Sequence, residues 1–294
     1  MERISTKAET SHAQKEQWSR AGLPLQPAAV ADLVTESLLA ELEAYPKPGM
    51  VSHIDSGAHK DMNAKLFEAS INALKSYWAD FYLAGQSGKS IAALRKIGLD
   101  AEQSMLSATG GINTHKGAIF ILGLLTAAAG NDFKSPLGPA VASKWGNQLA
   151  APEEFKLSSH GTAVYHKYGV TGVRGEAAGG FLSIYDYGLP ALQQALQEFP
   201  LSTASIHCFF AMLEHTQDTT LLHRGGAEGL IHAANCAAVF NASGGVFNPH
   251  WKDLAANIHQ EFTALNLSAG GVADLLAATV FIDKIEKYQR RSHD

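Results

Sequence analysis

Residues 108–120 read ATGGINTHKGAIF, a short polar turn that runs directly into an apolar segment. Glycines let the backbone approach a ligand closely, and backbone N–H groups at a helix start favour an anion. The stretch therefore predicts a phosphate site at a helix N-terminus, and a polar turn between two helices is the alternative. The candidate side chains and glycines are Gly110, Gly111, Asn113, Thr114, His115 and Lys116.

Helical spacing of apolar residues continues on both sides of this turn. The apolar run 118–129 is far shorter than the roughly 20 residues that span a bilayer, so it predicts a buried core helix. We expect an all-α fold: one large helical domain, or two intimately packed helical halves, with motif loops at helix ends lining a central cleft. The helical patterns cover residues 28–45, 61–85, 91–108, two pieces within 138–168, 189–198, 202–215, 227–241, 249–265 and 271–288.

The composition fits a globular domain with a sizeable core, since 46% of the 294 residues are hydrophobic. A net charge of −5 argues against nucleic-acid binding. The two cysteines lack CxxC spacing, which argues against a disulfide framework and a structural zinc site and favours a reducing cytoplasm. The histidines do not show the spacing of a zinc ligand set either. Residues 1–27 lack the apolar core of a signal peptide and are expected to be a flexible leader before a catalytic domain at 28–294.

Further polar, glycine-rich blocks occur at residues 45–49, 55–62, 173–176, 218–226 and 266–274. Each carries a cation or a carboxylate close to glycine. Charge-assisted bonds to phosphate are the natural function of such cations, and solvated surface charge is the alternative. The cations and the neighbouring candidates are Lys47, Lys116, Arg174, His223, Arg224, Gly225 and Gly226.

Four acidic residues lie at or near predicted helix ends in these blocks or just before the 108–120 turn. A phosphate ligand is often accompanied by Mg²⁺, which prefers oxygen ligands, and N-capping is the competing explanation for each carboxylate. Asp218 is predicted to be the least cap-like, whereas Asp61 is a plausible N-cap. The acidic residues are Asp61, Glu102, Asp218 and Asp274.

Two other glycine-containing segments need an interpretation. Residues 85–90, GQSGKS, resemble the end of a P-loop, but Leu83 stands where the first glycine is required and no strand precedes it. Residues 169–180 contain five glycines and predict either a mobile linker or a place where backbone meets ligand.

Taken together, the blocks resemble the triphosphoribosyl-dephospho-CoA synthase family over residues 38–285. Within that family, VSHIDSG at 51–57 and LHRGG at 222–226 are more similar to the malonate decarboxylase branch than to the citrate lyase branch. One departure is GFLSI at 180–184, where a proline is expected after the phenylalanine.

The resemblance implies a transferase that joins ATP to 3'-dephospho-CoA and expels adenine, with Mg²⁺ as cofactor. It implies a functional link to the acyl carrier protein of malonate decarboxylase, no nucleic-acid or membrane partner, and it allows a homodimer. Substitution at an anomeric carbon passes through an oxocarbenium-like transition state, which needs a carboxylate near the sugar and proton transfer at both ends. Glu102, Glu176 or Asp218 is the expected catalytic carboxylate, with Asp61, Asp218 and Asp274 as metal ligands.

Two other functions stay open at this point. One is a Mg²⁺-dependent hydrolase of ADP-ribose-like compounds, and the other is a non-catalytic assembly subunit of a decarboxylase.

Overall fold

The computed structural model describes residues 25–151 and 160–291, and within them it contains α-helices and no strand. This confirms the all-α class. Of the expected leader at 1–27, residues 1–24 lie outside the described residues, and the first described helix begins at Pro27. The helices are α1 Pro27–Glu43, α2 Ala64–Gln86, α3 Ile91–Ala108, α4 Lys116–Asn131, α5 Leu137–Leu149, α6 His160–Tyr168, α7 Gly172–Gly179, α8 Leu189–Ala195, α9 Leu201–His215, α10 Thr219–Ala242, α11 Trp251–Ala264 and α12 Gly270–Arg291.

The core is built around α4 and α12. The residues of α4 from Ala118 to Ala129 are buried with the exception of Phe120, as expected for a core helix. Helix α12 packs against α1, α4 and α9, and its residues from Leu275 to Ile282 are all buried. No helix in the described part of the chain is both long and apolar enough to cross a bilayer.

Helices α2 and α4 make backbone contact. A Cβ atom on Gly85 would overlap the carbonyl group of Ala127, and one on Gly130 would overlap the carbonyl oxygen of Tyr82. Two glycines on opposite helices therefore allow an unusually close approach. The P-loop-like segment is thus a packing position at Gly85 followed by a turn, since Ser90 caps α3 by accepting a bond from Ala93 N at 3.4 Å.

Two expectations about local structure are wrong. The N-cap of α2 is Asn63, whose Oδ1 accepts from Leu66 N at 3.2 Å, and Asp61 lies outside the helix. Residues 172–179 form helix α7, whereas the sequence predicted a glycine-rich connection. Of its two interpretations, the helix contradicts the mobile linker, and the contact between backbone and ligand stays a prediction. Glycine disfavours helix by about 1 kcal/mol per residue, but packing against α5 overrides this preference.

The missing proline of the family pattern falls in an unusual turn. Phe181 is buried with φ of +62°, and a π-helical turn, Ile184–Gly188, follows and leads into α8. The Phe181 ring is therefore anchored in the core while its backbone takes a left-handed conformation.

Candidate functional site

A buried ion pair lies at the end of α1, and the sequence motifs identified only one of its two members. Lys47 is 1% exposed, and its ammonium group donates to both the carboxylate and the backbone carbonyl oxygen of Glu41. Burial lowers the pKa of Lys47, and the Glu41 charge partly offsets this. Lys47 is therefore committed to a protein partner. Glu41 was not among the predicted site residues, although its position three residues after Leu38 places it on the apolar face of α1.

Asp274 connects the first turn of α12 to the N-terminus of α4. Its carboxylate accepts from the backbone N–H of Ala118, and it lies so close to Gly117 that a Cβ there would overlap it. Burial raises the pKa of Asp274 well above its usual range, and the charges of Glu41 and Asp218 raise it further. Three carboxylates therefore lie near enough to repel one another.

Asp218 joins the N-termini of α10 and α12. Its Oδ1 accepts from Thr220 N at 2.7 Å and Leu221 N at 2.9 Å at the start of α10, and its Oδ2 accepts from Val272 N at 2.9 Å in α12. The prediction that Asp218 is the least cap-like of the acidic residues is wrong. Burial raises its pKa, and the backbone N–H groups act in the opposite direction. Through Asp218 and Asp274, the N-termini of α4, α10 and α12 converge.

His115 lies at the start of α4 beneath this cluster of charges. It is 3% exposed, its Nδ1 is 2.7 Å from Ser70 Oγ, and its Nε2 has no hydrogen-bond partner among the described residues. Burial, with the positive charge of Lys47 as a second cause, lowers the pKa of His115 to about 3. The imidazole is therefore neutral at physiological pH and is not a general acid in its resting state.

The turn before α4 is exposed and open. Gly110 and Gly111 have φ of +66° and +91°, and nothing lies within 4 Å of a Cβ placed on either. The Asn113 side chain caps α4 by accepting from Lys116 N at 3.1 Å, and Thr114 Oγ1 lies 3.1 Å from His115 Nδ1. The turn is thus a preformed helix start with free space over its backbone.

Lys116 and Glu102, two predicted site residues, are brought together at this turn. Lys116 Nζ lies 2.6 Å from Glu102 Oε1, and half of the Lys116 side chain is exposed. Such exposed pairs contribute little to stability, so Lys116 can exchange this partner for a phosphate at small cost.

A pocket of about 330 Å³ lies between α7 and the start of α10. Glu176, Asp218 and Thr219 line it, together with Gly271 at the start of α12. Ser183 holds the Glu176 carboxylate in place, with its Oγ donating at 2.6 Å and its backbone N–H at 3.2 Å. The pocket therefore unites two of the three predicted catalytic carboxylates, and Glu102 does not line it.

Two of the predicted phosphate ligands, Arg174 and His223, are not among the residues that line this pocket. The Arg174 guanidinium lies 5.6 Å from the ring centroid of Phe120 on α4, which is cation–π distance. His223 is exposed in the first turns of α10.

A second set of predicted residues forms a clamp between distant segments. Arg224 donates to the carbonyl oxygen of Ala58 at 3.0 Å, to Asn266 Oδ1 at 3.1 Å and, through its other nitrogen, to His59 Nδ1 at 3.1 Å. Asp61 belongs to this clamp, since its Oδ1 is 4.0 Å from His59 Nδ1. These contacts account for Arg224 structurally.

The two glycines that follow Arg224 have distinct backbone roles. A Cβ on Gly225 would lie 2.5 Å from Leu267 Cδ2, so the chain before α12 packs directly on this position. Gly226, with φ of +62° and ψ of −161°, breaks the helical geometry of α10. Both glycines therefore shape α10, and a ligand contact at either one stays a prediction.

The acidic residues can be tested for their fit to Mg²⁺. This ion is usually held by one or two carboxylates together with substrate phosphates and waters. Asp218 and Asp274 fit as such a pair, because burial, the charge of Glu41 and the charge of Asp218 all raise the pKa of Asp274, and a cation would stabilise its carboxylate. Within the described residues, Asp61, Asp218 and Asp274 do not bring their oxygens within 4.8 Å of one another, so they form no ready three-ligand cage.

Comparison with known proteins gives one consistent result. Residues 27–293 match the family model CitG, described as ATP:dephospho-CoA triphosphoribosyl transferase. A relative from Acinetobacter calcoaceticus is 36% identical over 262 residues, covering 86% of this chain and 90% of the relative, and is named a probable 2-(5''-triphosphoribosyl)-3'-dephosphocoenzyme-A synthase. A relative from Pectobacterium atrosepticum, named 2-(5''-triphosphoribosyl)-3'-dephosphocoenzyme-A synthase, is 36% identical over 263 residues, or 84% of this chain and 85% of the relative.

No solved structure matches significantly. The family model and these relatives cover nearly the whole described chain, so the match is not confined to one motif. The protein therefore belongs to the ATP:dephospho-CoA triphosphoribosyl transferase family and is an enzyme of that type.

Proposed function

We propose that the protein transfers the triphosphoribosyl group of ATP to a ribose hydroxyl of 3'-dephospho-CoA and releases adenine. The product would be 2'-(5''-triphosphoribosyl)-3'-dephospho-CoA. The observation that carries the proposal is the meeting of three helix N-termini at Asp218 and Asp274, beside a pocket that contains Glu176. Helix N-termini favour polyanions, and the pocket carboxylates suit a sugar that develops positive charge.

In this proposal the triphosphate stays intact throughout. The bond between the ribose anomeric carbon and the adenine nitrogen breaks, and a bond forms from that carbon to the acceptor oxygen. The proton lost by the acceptor hydroxyl balances the proton gained by adenine. A kinase site, in contrast, would direct the acceptor to the γ-phosphorus.

Glu176 is the residue we assign as base for the acceptor hydroxyl. It lines the pocket, and Ser183 holds its carboxylate in one orientation through two hydrogen bonds. Asp218, whose oxygens are engaged by backbone N–H groups, would be the fixed negative charge near the sugar. Glu102 would instead act through Lys116, its ion-pair partner.

For the phosphates we assign the open turn before α4. A Cβ placed on Gly110 or Gly111 would meet nothing within 4 Å, so a phosphate can approach this side of the turn, and Lys116 and Arg174 flank the same end of α4. Asp218 and Asp274 would hold Mg²⁺, which when bound supplies positive charge against the triphosphate. Lys47 would contribute through its field, since its ammonium group is already paired with Glu41.

We further propose that the product supplies the acyl carrier protein of a malonate decarboxylase. The support is the sequence of residues 51–57 and 222–226, which is more similar to the malonate decarboxylase branch than to the citrate lyase branch. Deleting the gene in its source organism should abolish growth on malonate and spare growth on citrate. Loss of growth on citrate alone would assign the protein to the citrate lyase branch.

The reaction is tested by incubating the protein with ATP, Mg²⁺ and 3'-dephospho-CoA and measuring free adenine. We expect adenine release to require both the metal and the acceptor. ADP or pyrophosphate in place of adenine would refute the transferase, and adenine release at the same rate without acceptor would identify a hydrolase.

A pair of variants tests the assignment of the base. Glu176→Gln should reduce adenine release by about two orders of magnitude, the usual range for general base catalysis. Glu198→Gln, at an exposed position after α8, is the matched control and should retain wild-type activity. Equal activity of the two variants would remove Glu176 from the mechanism.

A further inference from the structure

Three potential metal ligands lie together on the side of the protein formed by α10 and α11. His232 and Cys236 are one turn apart on α10, and Glu261 belongs to α11. His232 Nε2 is 3.5 Å from Cys236 Sγ and 3.3 Å from Glu261 Oε1, and the three ligand atoms all lie within 4.8 Å of one another. None of the three lines the pocket of Glu176 and Asp218.

The two separations from His232 Nε2 match those of ligands around a tetrahedral zinc ion. Zinc binds thiolate sulfur at about 2.3 Å and imidazole nitrogen or carboxylate oxygen at about 2.0–2.1 Å. Tetrahedral angles then place sulfur and nitrogen about 3.6 Å apart, and nitrogen and oxygen about 3.3–3.4 Å apart. Both values lie within about 0.1 Å of the distances found here.

The surroundings also suit a metal that keeps an open coordination position. Cys236 and His232 are half-buried, and half of the Glu261 side chain is exposed. The Phe262 ring packs against the His232 ring with centroids 6.0 Å apart, which restricts the orientation of the imidazole. Three protein ligands facing solvent leave a fourth position for water or another ligand.

The three ligand types are ones that a divalent cation can hold together. Such a cation would bind the Cys236 sulfur as thiolate and the Glu261 carboxylate at the same time, and the thiol proton would be released on binding.

We propose that His232, Cys236 and Glu261 form a binding site for Zn²⁺, separate from the pocket that contains Glu176 and Asp218. The sequence spacing argued against a zinc site because it was judged against ligand pairs such as CxxC. The signal it does contain is H-x₃-C, two ligands four residues apart on one helical face. The third ligand, Glu261, becomes apparent only when α11 packs against α10.

The site is tested with Co²⁺, whose thiolate complexes absorb in the near ultraviolet, using untagged, reduced, EDTA-treated protein. We expect a thiolate-to-cobalt charge-transfer band that saturates at about one equivalent and is abolished by stoichiometric Zn²⁺ but not by excess Mg²⁺. The absence of this band in the wild-type protein would overturn the proposal.

Variants assign the band to its ligands. Cys236→Ala should abolish it, and His232→Ala and Glu261→Gln should weaken Co²⁺ binding by at least tenfold. The controls are Cys208→Ala, the other free cysteine, and His250→Ala, an exposed histidine before α11. They should keep the band, and far-ultraviolet circular dichroism verifies folding of every variant. A band that survives in Cys236→Ala, or that is lost in Cys208→Ala with the fold intact, would refute the assignment.

Discussion

The buried histidine at the start of α4 should make the stability of this protein depend on pH. The pKa of His115 in the folded chain is about 3, and in the unfolded chain it is about 6.5. Between these values the unfolded chain binds a proton and the folded chain does not. The stability contributed by neutral His115 is therefore present above about pH 6.5 and is lost as the pH falls through that value toward 3.

The size of the effect follows from the two pKa values. Each pH unit below the unfolded pKa costs about 1.4 kcal/mol, so the loss is about 2 kcal/mol at pH 5 and about 5 kcal/mol near pH 3. His115→Asn removes the titration and retains a polar atom near Ser70 Oγ. It should be less stable than wild type at pH 7.5, because it loses the edge-on packing of His115 on Phe67, whose ring centroid lies 4.8 Å away.

The measurement is urea unfolding of both proteins between pH 7.5 and pH 5. The difference in the free energy of unfolding should shrink by about 2 kcal/mol over this range, since other titrating groups cancel in the comparison. Ile71→Val, which removes a buried methylene group on α2, is the control and should lower stability by about 0.5–1.5 kcal/mol equally at every pH. Parallel curves for wild type and His115→Asn would refute the reasoning.

Four other predictions concern the proposed site. Asp274→Asn should raise the melting temperature at pH 7–8 and reduce adenine release. Because burial raises the pKa of Asp274 in the folded chain, the increase in melting temperature should vanish as the pH is lowered to 4. Gly117→Ala should displace the Asp274 carboxylate and impair turnover. The control is Gly98→Ala, whose new Cβ meets only an ordinary contact at 3.8 Å; it should leave turnover unchanged and raise the free energy of unfolding by about 0.5–1 kcal/mol. Lys116→Ala should weaken ATP binding about 10- to 150-fold, measured by calorimetry, with little change in melting temperature; unfolding with normal ATP affinity of the folded fraction would contradict this. Asp218→Asn should reduce adenine release by about two orders of magnitude. It should also lower the free energy of unfolding by about 1–3 kcal/mol, because the asparagine amide cannot accept hydrogen bonds from the backbone of both α10 and α12. Near-normal activity of this variant would exclude Asp218 from the site.

Helices whose ends are marked by local chemistry could be predicted from the sequence. The prediction for α3 has the observed bounds, Ile91–Ala108, because Ser90 supplies the cap and the Gly110–Gly111 turn stops the helix. The start of α2 was misplaced because Asp61 and Asn63 are both good caps, and only the loop conformation selects between them. Helix α7 was missed because its stability comes from contact with α5 and not from its own glycine-rich residues.

Some residues of the candidate site could likewise be predicted from the sequence, and others could not. Asp218, Asp274, His115 and the open turn at Gly110 could be identified because carboxylates, glycines and an imidazole cluster in short motifs. Glu41 has no such neighbours in sequence, and its importance arises from the pairing with Lys47 across the end of α1. The structural role of Arg224 could not be predicted from the sequence either, because the carbonyl groups that it binds come from loops more than 40 positions away.

The central position of α12 has a consequence for the biosynthesis of the protein. Helix α12 follows α1, α4 and α9 in the chain, yet all three pack against it, and Asp218 at the start of α10 is bonded to its first turn. A nascent chain that stops before residue 270 would leave three apolar helix faces uncovered, and such surfaces promote aggregation. The described helices should therefore complete their packing only after residues 270–291 have been synthesised, and a stop codon just before position 270 should be as damaging as one much earlier.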